Sequence, residues 1–425
     1  MKASLPAVAS TSYRWKIIAL LFFSTTINYL DRNVLAILAP TLQKNYGWSE
    51  IDYGNIIMAF QLAYGVGVIG VGKLLDKFGN RIVFAIAISV WSLAGIGHAF
   101  ARSVFSFMAA RFFLGLGEAA NFPACIKTVA EWFPKKERAL ATGLFNAGSN
   151  IGAILGPLAI PVIAVSYGWE WAFVITGMLG FIWLIFWLLM YRVPNEHKKV
   201  SVSELQHIHS DEAETTQPLS WWKLVTRRES IVICISRFFT DPVWWFLLYW
   251  LPKFLDKQYH VSLMDLGLPL VTIYIVADIG GIAGGWLSSN AIKKGMSIDK
   301  ARKRAMLICA LCVLPVMFIA QVPPLWVSVA LISLACASHC GWAANIYTIV
   351  SDQFPKRAVA TIVGISTFTA VLGSMLASSA VGYILEKTGS YSLIFITASF
   401  MYVLGWLIIK IGIPKIKPID FNKQQ

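Results

Sequence analysis

Charge is scarce in this sequence. Only 14% of its 425 residues are Asp, Glu, Lys or Arg, while 57% are hydrophobic, a balance that excludes a water-soluble fold. Long polar stretches are missing too, so there is no room for an aqueous catalytic or signalling domain. The six cysteines, Cys125, Cys234, Cys309, Cys312, Cys336 and Cys340, all fall within apolar runs, where they act as small buried hydrophobes. Cys336 and Cys340 share a helix face without acidic neighbours, so neither a metal centre nor a cofactor is expected. No short cleavable leader is expected: the first apolar run is full length and contains Asp31 and Arg32, which reads as an uncleaved first helix.

What is present is a series of apolar runs. Crossing a hydrocarbon layer takes about 20 apolar residues per helix, and backbone groups in lipid must be satisfied internally. About twelve such runs occur, near 14–40, 51–72, 81–101, 104–130, 138–165, 169–191, 229–255, 264–288, 303–321, 325–350, 358–385 and 390–413. The expected fold is an all-α membrane protein of twelve transmembrane helices. The net charge is +14, but its distribution reports topology rather than a nucleic-acid partner. About 27 of the 36 Lys and Arg residues lie on the tails and alternate connectors. Lys73, Lys77 and Arg81 share one connector, Lys135, Lys136 and Arg138 the next, and Lys293, Lys294, Arg302, Lys303 and Arg304 a third. The opposite connectors hold only Lys44, Arg102, Lys253, Lys257 and Lys387. The expectation is a multi-pass protein of a bacterial inner membrane, with both termini cytoplasmic and the lipid bilayer as its main surrounding.

The longest polar stretch, 192–228, carries His197, Lys198, Lys199, Glu204, His207, His209, Asp211, Glu212 and Glu214. It reads as a mixed-charge cytoplasmic linker rather than a metal site. An internal repeat places the same division. Tyr46, Ser49, Asp52 and Gly54 recur at the same spacing as Tyr259, Ser262, Asp265 and Gly267, and Gly72 and Gly285 continue that register. Gly117, Ala119, Ala120 and Asn121 recur as Gly341, Ala343, Ala344 and Asn345, and Phe133, Pro134, Lys135 as Phe354, Pro355, Lys356. The expected organisation is a six-helix bundle over 1–191, the linker over 192–228 and a pseudo-symmetric six-helix bundle over 229–425. A substrate site between such halves, near mid-membrane, permits alternating access by rocking.

These residues resemble a known family. The stretch GKLLDKFGNR, with Gly72, Asp76, Gly79 and Arg81, is similar to the signature loop of the major facilitator superfamily. The resemblance implies a brace at the cytoplasmic gate, in which Asp76 and Arg81 form charged hydrogen bonds while Gly72 and Gly79 allow close packing and a tight turn. The whole chain further resembles the anion:cation symporter family, and within it the hexuronate permeases. The carriers are NYLDR in the first helix (Asn28 to Arg32), RFFLGLGEAANFP in the fourth (Arg111 to Pro123), and EWFPKKER after it, whose Glu131 and Arg138 join the gate. In the second half, RFFTDPVWW (Arg237 to Trp245) and HCGWAAN (His339 to Asn345) look most like hexuronate permeases.

Charges inside membrane helices cost several kcal/mol unless paired or hydrated, which singles out Asp31, Arg32, Arg111, Glu118, Arg237, Asp241 and Asp278. Arg111 and Glu118, seven apart, share a helix face. Carboxylates in a poorly hydrated cavity suit proton uptake and release, and arginine forks suit an anionic substrate. The resemblance implies the same division: proton coupling at Asp31 and Glu118, the substrate carboxylate at Arg32, and Arg111 interacting with Glu118. Joint protonation and anion binding neutralise the site before it reorients, and each charge moved across 100 mV is worth about 2.3 kcal/mol.

Sugar hydroxyls need neutral polar groups and a flat apolar face. Tyr29, Tyr64, Asn146 and Ser149 are candidates from the first half, and Trp245, His339, Asn345 and Thr367 from the second, each weighed against a packing role. His339 reads first as a hydrogen-bonded core residue, with a ligand contact or pH-sensitive group as the alternative. Arg237 and Asp241, four apart, most simply pair with each other, and Asp278 has no nameable partner. The expectation is a proton-coupled symporter for an organic acid anion such as a hexuronate, working as a monomer. Sodium coupling, exchange of another carboxylate (aldonate, glucarate, aromatic acid) and an integral-membrane transferase are the alternatives.

Overall fold

Local signals set the first helix boundaries. The computed structural model describes residues 12–210, 221–321 and 324–419. Helix α1 (Tyr13–Tyr46) ends on Gly47, whose φ of 63° lies in the left-handed region that glycine tolerates. Two residues later Ser49 caps α2 (Glu50–Phe78) through a reciprocal box with Asp52. Gly79, at φ 80°, then turns the chain tightly into α3 (Asn80–Gly97).

The expected fourth run is broken. It forms α4 (Val104–Glu118) and α5 (Asn121–Trp132), interrupted at Ala119 and Ala120. Pro123 explains the break: it has no N–H for the Ala119 carbonyl and its ring would crowd that carbonyl in an unbroken helix. The first half continues with α6 (Lys135–Tyr167) and α7 (Trp169–Met190). After the short α8 (Val202–Ile208) and α9 (Trp221–Val225), the second half comprises α10 (Arg228–Tyr259), α11 (Gly267–Lys293), α12 (Ile298–Val313), α13 (Leu325–Gln353), α14 (Lys356–Thr388) and α15 (Ser392–Gly412). The run expected over 303–321 is likewise divided, since α12 gives way to a 3₁₀ segment, Leu314–Gln321, that contains Pro315.

Among the described residues, nine helices are long and apolar enough to cross a membrane by length and composition. The other three expected spans are α1, which carries Asp31 and Arg32 mid-helix, and the two broken ones.

The repeat seen in the sequence reappears in the packing. In the first half α1 packs on α6, α2 on α4 and α3 on α7; in the second, α10 packs on α14, α11 on α13, and α12 with its 3₁₀ extension on α15. Small residues make these seams: a Cβ at Gly148 of α6 would strike the Phe22 carbonyl of α1, and one at Gly373 of α14 would strike the Phe238 carbonyl of α10. The linker is tied to the first half. Glu204 of α8 accepts from the backbone nitrogens of Tyr13 and Arg14 at 3.0 and 3.1 Å, at the start of α1. His207 meets Glu137 at 2.9 Å, and the His197 ring packs tilted against Tyr13, centres 4.2 Å apart. Asp211, Glu212 and Glu214 lie outside the described residues.

The two halves meet at the end where α1 joins α2. There Lys253 of α10 pairs with Glu50 at 2.6 Å and lies 4.5 Å from the Tyr53 ring centre. The Tyr53 hydroxyl donates to the Tyr249 carbonyl at 2.6 Å. The Glu50 amide donates to Glu386 of α14 at 2.9 Å, and a Cβ at Gly54 would come within 3.0 Å of the Ser378 carbonyl. Toward the opposite end, Gly72 (α2), Gly143 (α6), Gly285 (α11) and Gly364 (α14) have nothing within 4 Å of a built Cβ. The close packing expected at Gly72 is therefore not made in this conformation.

Candidate substrate site between the halves

Asp31 and Arg32 are neighbours on α1, so about 100° of helix rotation sends their side chains apart. Arg32 points to the interface between the halves. Its guanidinium holds Glu118 of α4 through Nε at 2.9 Å and Nη2 at 2.8 Å, both on Oε2. Four rings surround it: Tyr29 at 4.9 Å, Tyr64 at 5.1 Å, Phe60 at 5.3 Å and, from the second half, Trp245 at 5.9 Å from their centres.

Arg111 is fully buried one layer behind. It donates to the Arg32 carbonyl at 3.1 Å and lies near the rings of Phe60 and Tyr249. Glu118, the last residue of α4, takes Arg32 as its hydrogen-bonded partner, while the expected interaction with Arg111 is electrostatic, without a hydrogen bond among the described residues. Nε and Nη1 of Arg111 have no hydrogen-bond partner among the described residues, nor does Oε1 of Glu118.

Asp31 is 2% exposed, and neither of its oxygens has a hydrogen-bond partner among the described residues. The Thr176 hydroxyl of α7 is a neighbour of Asp31 and also reaches the Phe173 carbonyl at 3.4 Å.

The second half contributes a polar cluster. Arg237 pairs with Asp241 at 2.7 Å, as their spacing suggested, and also donates to Ser366 at 2.9 Å, Thr367 at 3.0 Å and the Tyr347 hydroxyl at 3.4 Å. Asn146 is exposed on the side of α6 away from the lipid-facing Leu144, Ile151 and Leu155, and Ser149 donates to its carbonyl at 2.6 Å.

Two candidates lie elsewhere. His339 stacks on Trp244 at 4.9 Å and meets the Tyr402 hydroxyl at 2.6 Å, so it is held in the core of the second half. Asn345 is fully buried and spends its amide nitrogen on the carbonyls of Gly284 and Gly341, tying α11 to α13. Sequence reasoning missed Phe60, Tyr249, Ser366 and Tyr347. The available signal was four-residue spacing, with Phe60 and Tyr64 on α2, and Trp245 and Tyr249 on α10, each forming a stacked pair.

The loop residues are held within the first half. Asp76 pairs with Lys127 at 2.7 Å, Arg81 donates to the Leu188 carbonyl at 2.7 Å, Glu131 accepts from Tyr191 at 2.5 Å, and Arg138 caps the carbonyls of Phe133 and Ala130 at 2.9 Å each. None of these contacts reaches the second half. Among the described residues no group of three or more His, Cys, Asp or Glu is placed to hold a metal ion.

The sequence model of the Major Facilitator Superfamily matches residues 21–378. A hexuronate transporter of Escherichia coli K12 is 32% identical over 402 residues, covering 93% of each chain. A D-galactonate transporter of Escherichia coli O6:H1 is 30% identical over 401 residues, covering 91% of this chain and 92% of that one. The crystal structure of a D-xylose-proton symporter superposes with a TM-score of 0.76 at 17% identity, over 96% of this chain and 98% of the other. The chain belongs to the Major Facilitator Superfamily and is a membrane transporter rather than an enzyme.

Proposed function

We propose that this protein is a proton-coupled symporter that imports a sugar acid, a hexuronate or close relative, across a bacterial inner membrane by alternating access. The observation that carries the reading is the Arg32–Glu118 pair inside an aromatic cage shared by both halves. An incoming carboxylate and Glu118 compete for one guanidinium fork. Placing a proton on Glu118 cancels its claim and leaves Arg32 free for the anion, so proton and substrate load together. Tyr29, Tyr64 and Trp245 offer ring faces and hydroxyls to the sugar. Asp31, buried and without an ion pair at contact distance among the described residues, would cost several kcal/mol as an anion, a cost that a second proton removes; this favours proton coupling over plain exchange. The relatives named for hexuronate and galactonate support a sugar acid as cargo.

The same reading orients the molecule. With both termini in the cytoplasm, the Glu50–Lys253 contact closes the outer face and the site opens inward. Six helices on each side of the 192–228 linker rock about this site as the two units, 1–191 and 229–425. The brace at Asp76 and Arg81 belongs to the opposite, outward-open state.

The test is uptake of labelled glucuronate into proteoliposomes under an imposed inward proton gradient, with a sodium gradient as the control. Accumulation driven by protons and not by sodium is expected. No accumulation with either gradient would overturn the substrate, and sodium-driven accumulation would overturn the coupling ion.

A further inference from the structure

Along α10, Arg237, Asp241, Trp245 and Tyr249 follow one another at four-residue steps, about 6 Å apart. Trp245 already belongs to the Arg32 cage, so Asp241 lies one helical turn from that cage along α10. Around the Arg237–Asp241 pair the groups are polar and come from three helices of the second half: Arg237 of α10 donates to Asp241, to Thr367 of α14 and to Tyr347 of α13. Tyr347 is 41% exposed, bonds Arg237 and lies near Tyr29 of the first half, which places its hydroxyl toward the space between the halves. A salt bridge meant only to hold α10 to its neighbours would not need this open, hydroxyl-rich edge.

We infer that Asp241, Arg237, Tyr347 and Thr367 form the subsite that reads the hydroxyl groups of the substrate, with the sugar ring lying against Trp245. Asp241 accepts from a hydroxyl with the lone pairs its pairing to Arg237 leaves over, and the Tyr347 and Thr367 hydroxyls donate or accept as the sugar requires. Arg237 is the positioning residue that holds the Asp241 carboxylate in place. Charge is then recognised by the first half and the hydroxyl pattern by the second, so closure of one half on the other depends on both ends of the same molecule. This inference rests on the sugar-acid reading above.

The experiment compares binding of glucuronate and cyclohexanecarboxylate, which shares the ring and carboxylate but has no hydroxyls, to the purified full chain by isothermal titration. Tyr347→Phe and Thr367→Val keep the Arg237–Asp241 pair. Each is expected to weaken glucuronate about tenfold and to leave cyclohexanecarboxylate unchanged. Asp241→Asn, accepted only if its melting temperature matches wild type, should show the same selectivity loss. Equal weakening of both ligands, or of neither, would overturn the subsite while leaving the transport reading standing. A wild-type protein that binds neither ligand would overturn the sugar-acid reading itself.

Discussion

Arg32 presents both Nε and Nη2 to a single oxygen of Glu118, leaving Oε1 of that carboxylate without a hydrogen-bond partner. The pair is fully desolvated and still only half satisfied, the state expected of a contact that must be exchanged during function rather than one built for stability.

Replacing Glu118 with Gln removes the competing charge while keeping the size of the side chain. Glu118→Gln is expected to bind glucuronate at least as well as wild type but to lose gradient-driven accumulation, retaining counterflow exchange. Proteoliposome uptake and counterflow, measured side by side, check this; accumulation equal to wild type would sink the coupling role.

Arg32→Lys keeps the charge and discards the planar fork. Loss of one charge-assisted hydrogen bond is worth about 1.5–3 kcal/mol, so substrate affinity should fall by about 10- to 150-fold, with thermal stability changed far less. Titration of the purified variant reads the first and a melting curve the second. Arg32→Ala should abolish both uptake and exchange.

Asp31 is buried without hydrogen-bond partners among the described residues. Asp31→Asn is therefore expected to leave the melting temperature equal or higher, because it removes the desolvation cost of a buried carboxylate. Net accumulation should fall at the same time. A strongly destabilised Asp31→Asn would mean that the carboxylate has a structural partner.

The contact of Lys253 with Glu50 and the Tyr53 ring closes one end of the molecule. Removing one partner of a buried ion pair costs about 3–5 kcal/mol, and here that cost falls on one conformation. Lys253→Met should shift the population toward the state open at this end, seen as longer distances between spin labels on the α1–α2 and α10–α11 sides of the mouth. Unchanged distances would show that the pair does not hold the gate.

Glycine contacts separate fold from gate. Gly148→Val would drive side-chain atoms into the Phe22 carbonyl within the first half, and overpacking of this kind costs about 1–3 kcal/mol. It should lower the melting temperature. Gly54→Val meets Ser378 across the two halves instead, and should prop the closed end apart with little effect on melting.

Much of this protein is written in its sequence, and for a definite reason. In lipid, every spanning segment must be apolar and helical, so the runs, the buried charges at Asp31, Arg32, Arg111 and Glu118, and the Arg237–Asp241 pairing all follow from local composition and four-residue spacing. Pro123 and Pro315 broke two of those runs, because a proline tests the backbone at its own position regardless of how apolar its surroundings are.

What only the tertiary structure decided is which non-lipid face each residue occupies. Periodicity separates lipid from interior, yet a packed seam and a transport cavity both count as interior. Asn345 and His339 therefore read like Tyr64 and Trp245 in the sequence, although the first two are locked between helices of the second half and the last two enclose Arg32. The choice of Arg32 rather than Arg111 as the partner of Glu118 has the same origin. It depends on where α4 stops and how α1 is rotated against it, and those are set by the sum of contacts from every neighbouring helix rather than by the seven residues between Arg111 and Glu118.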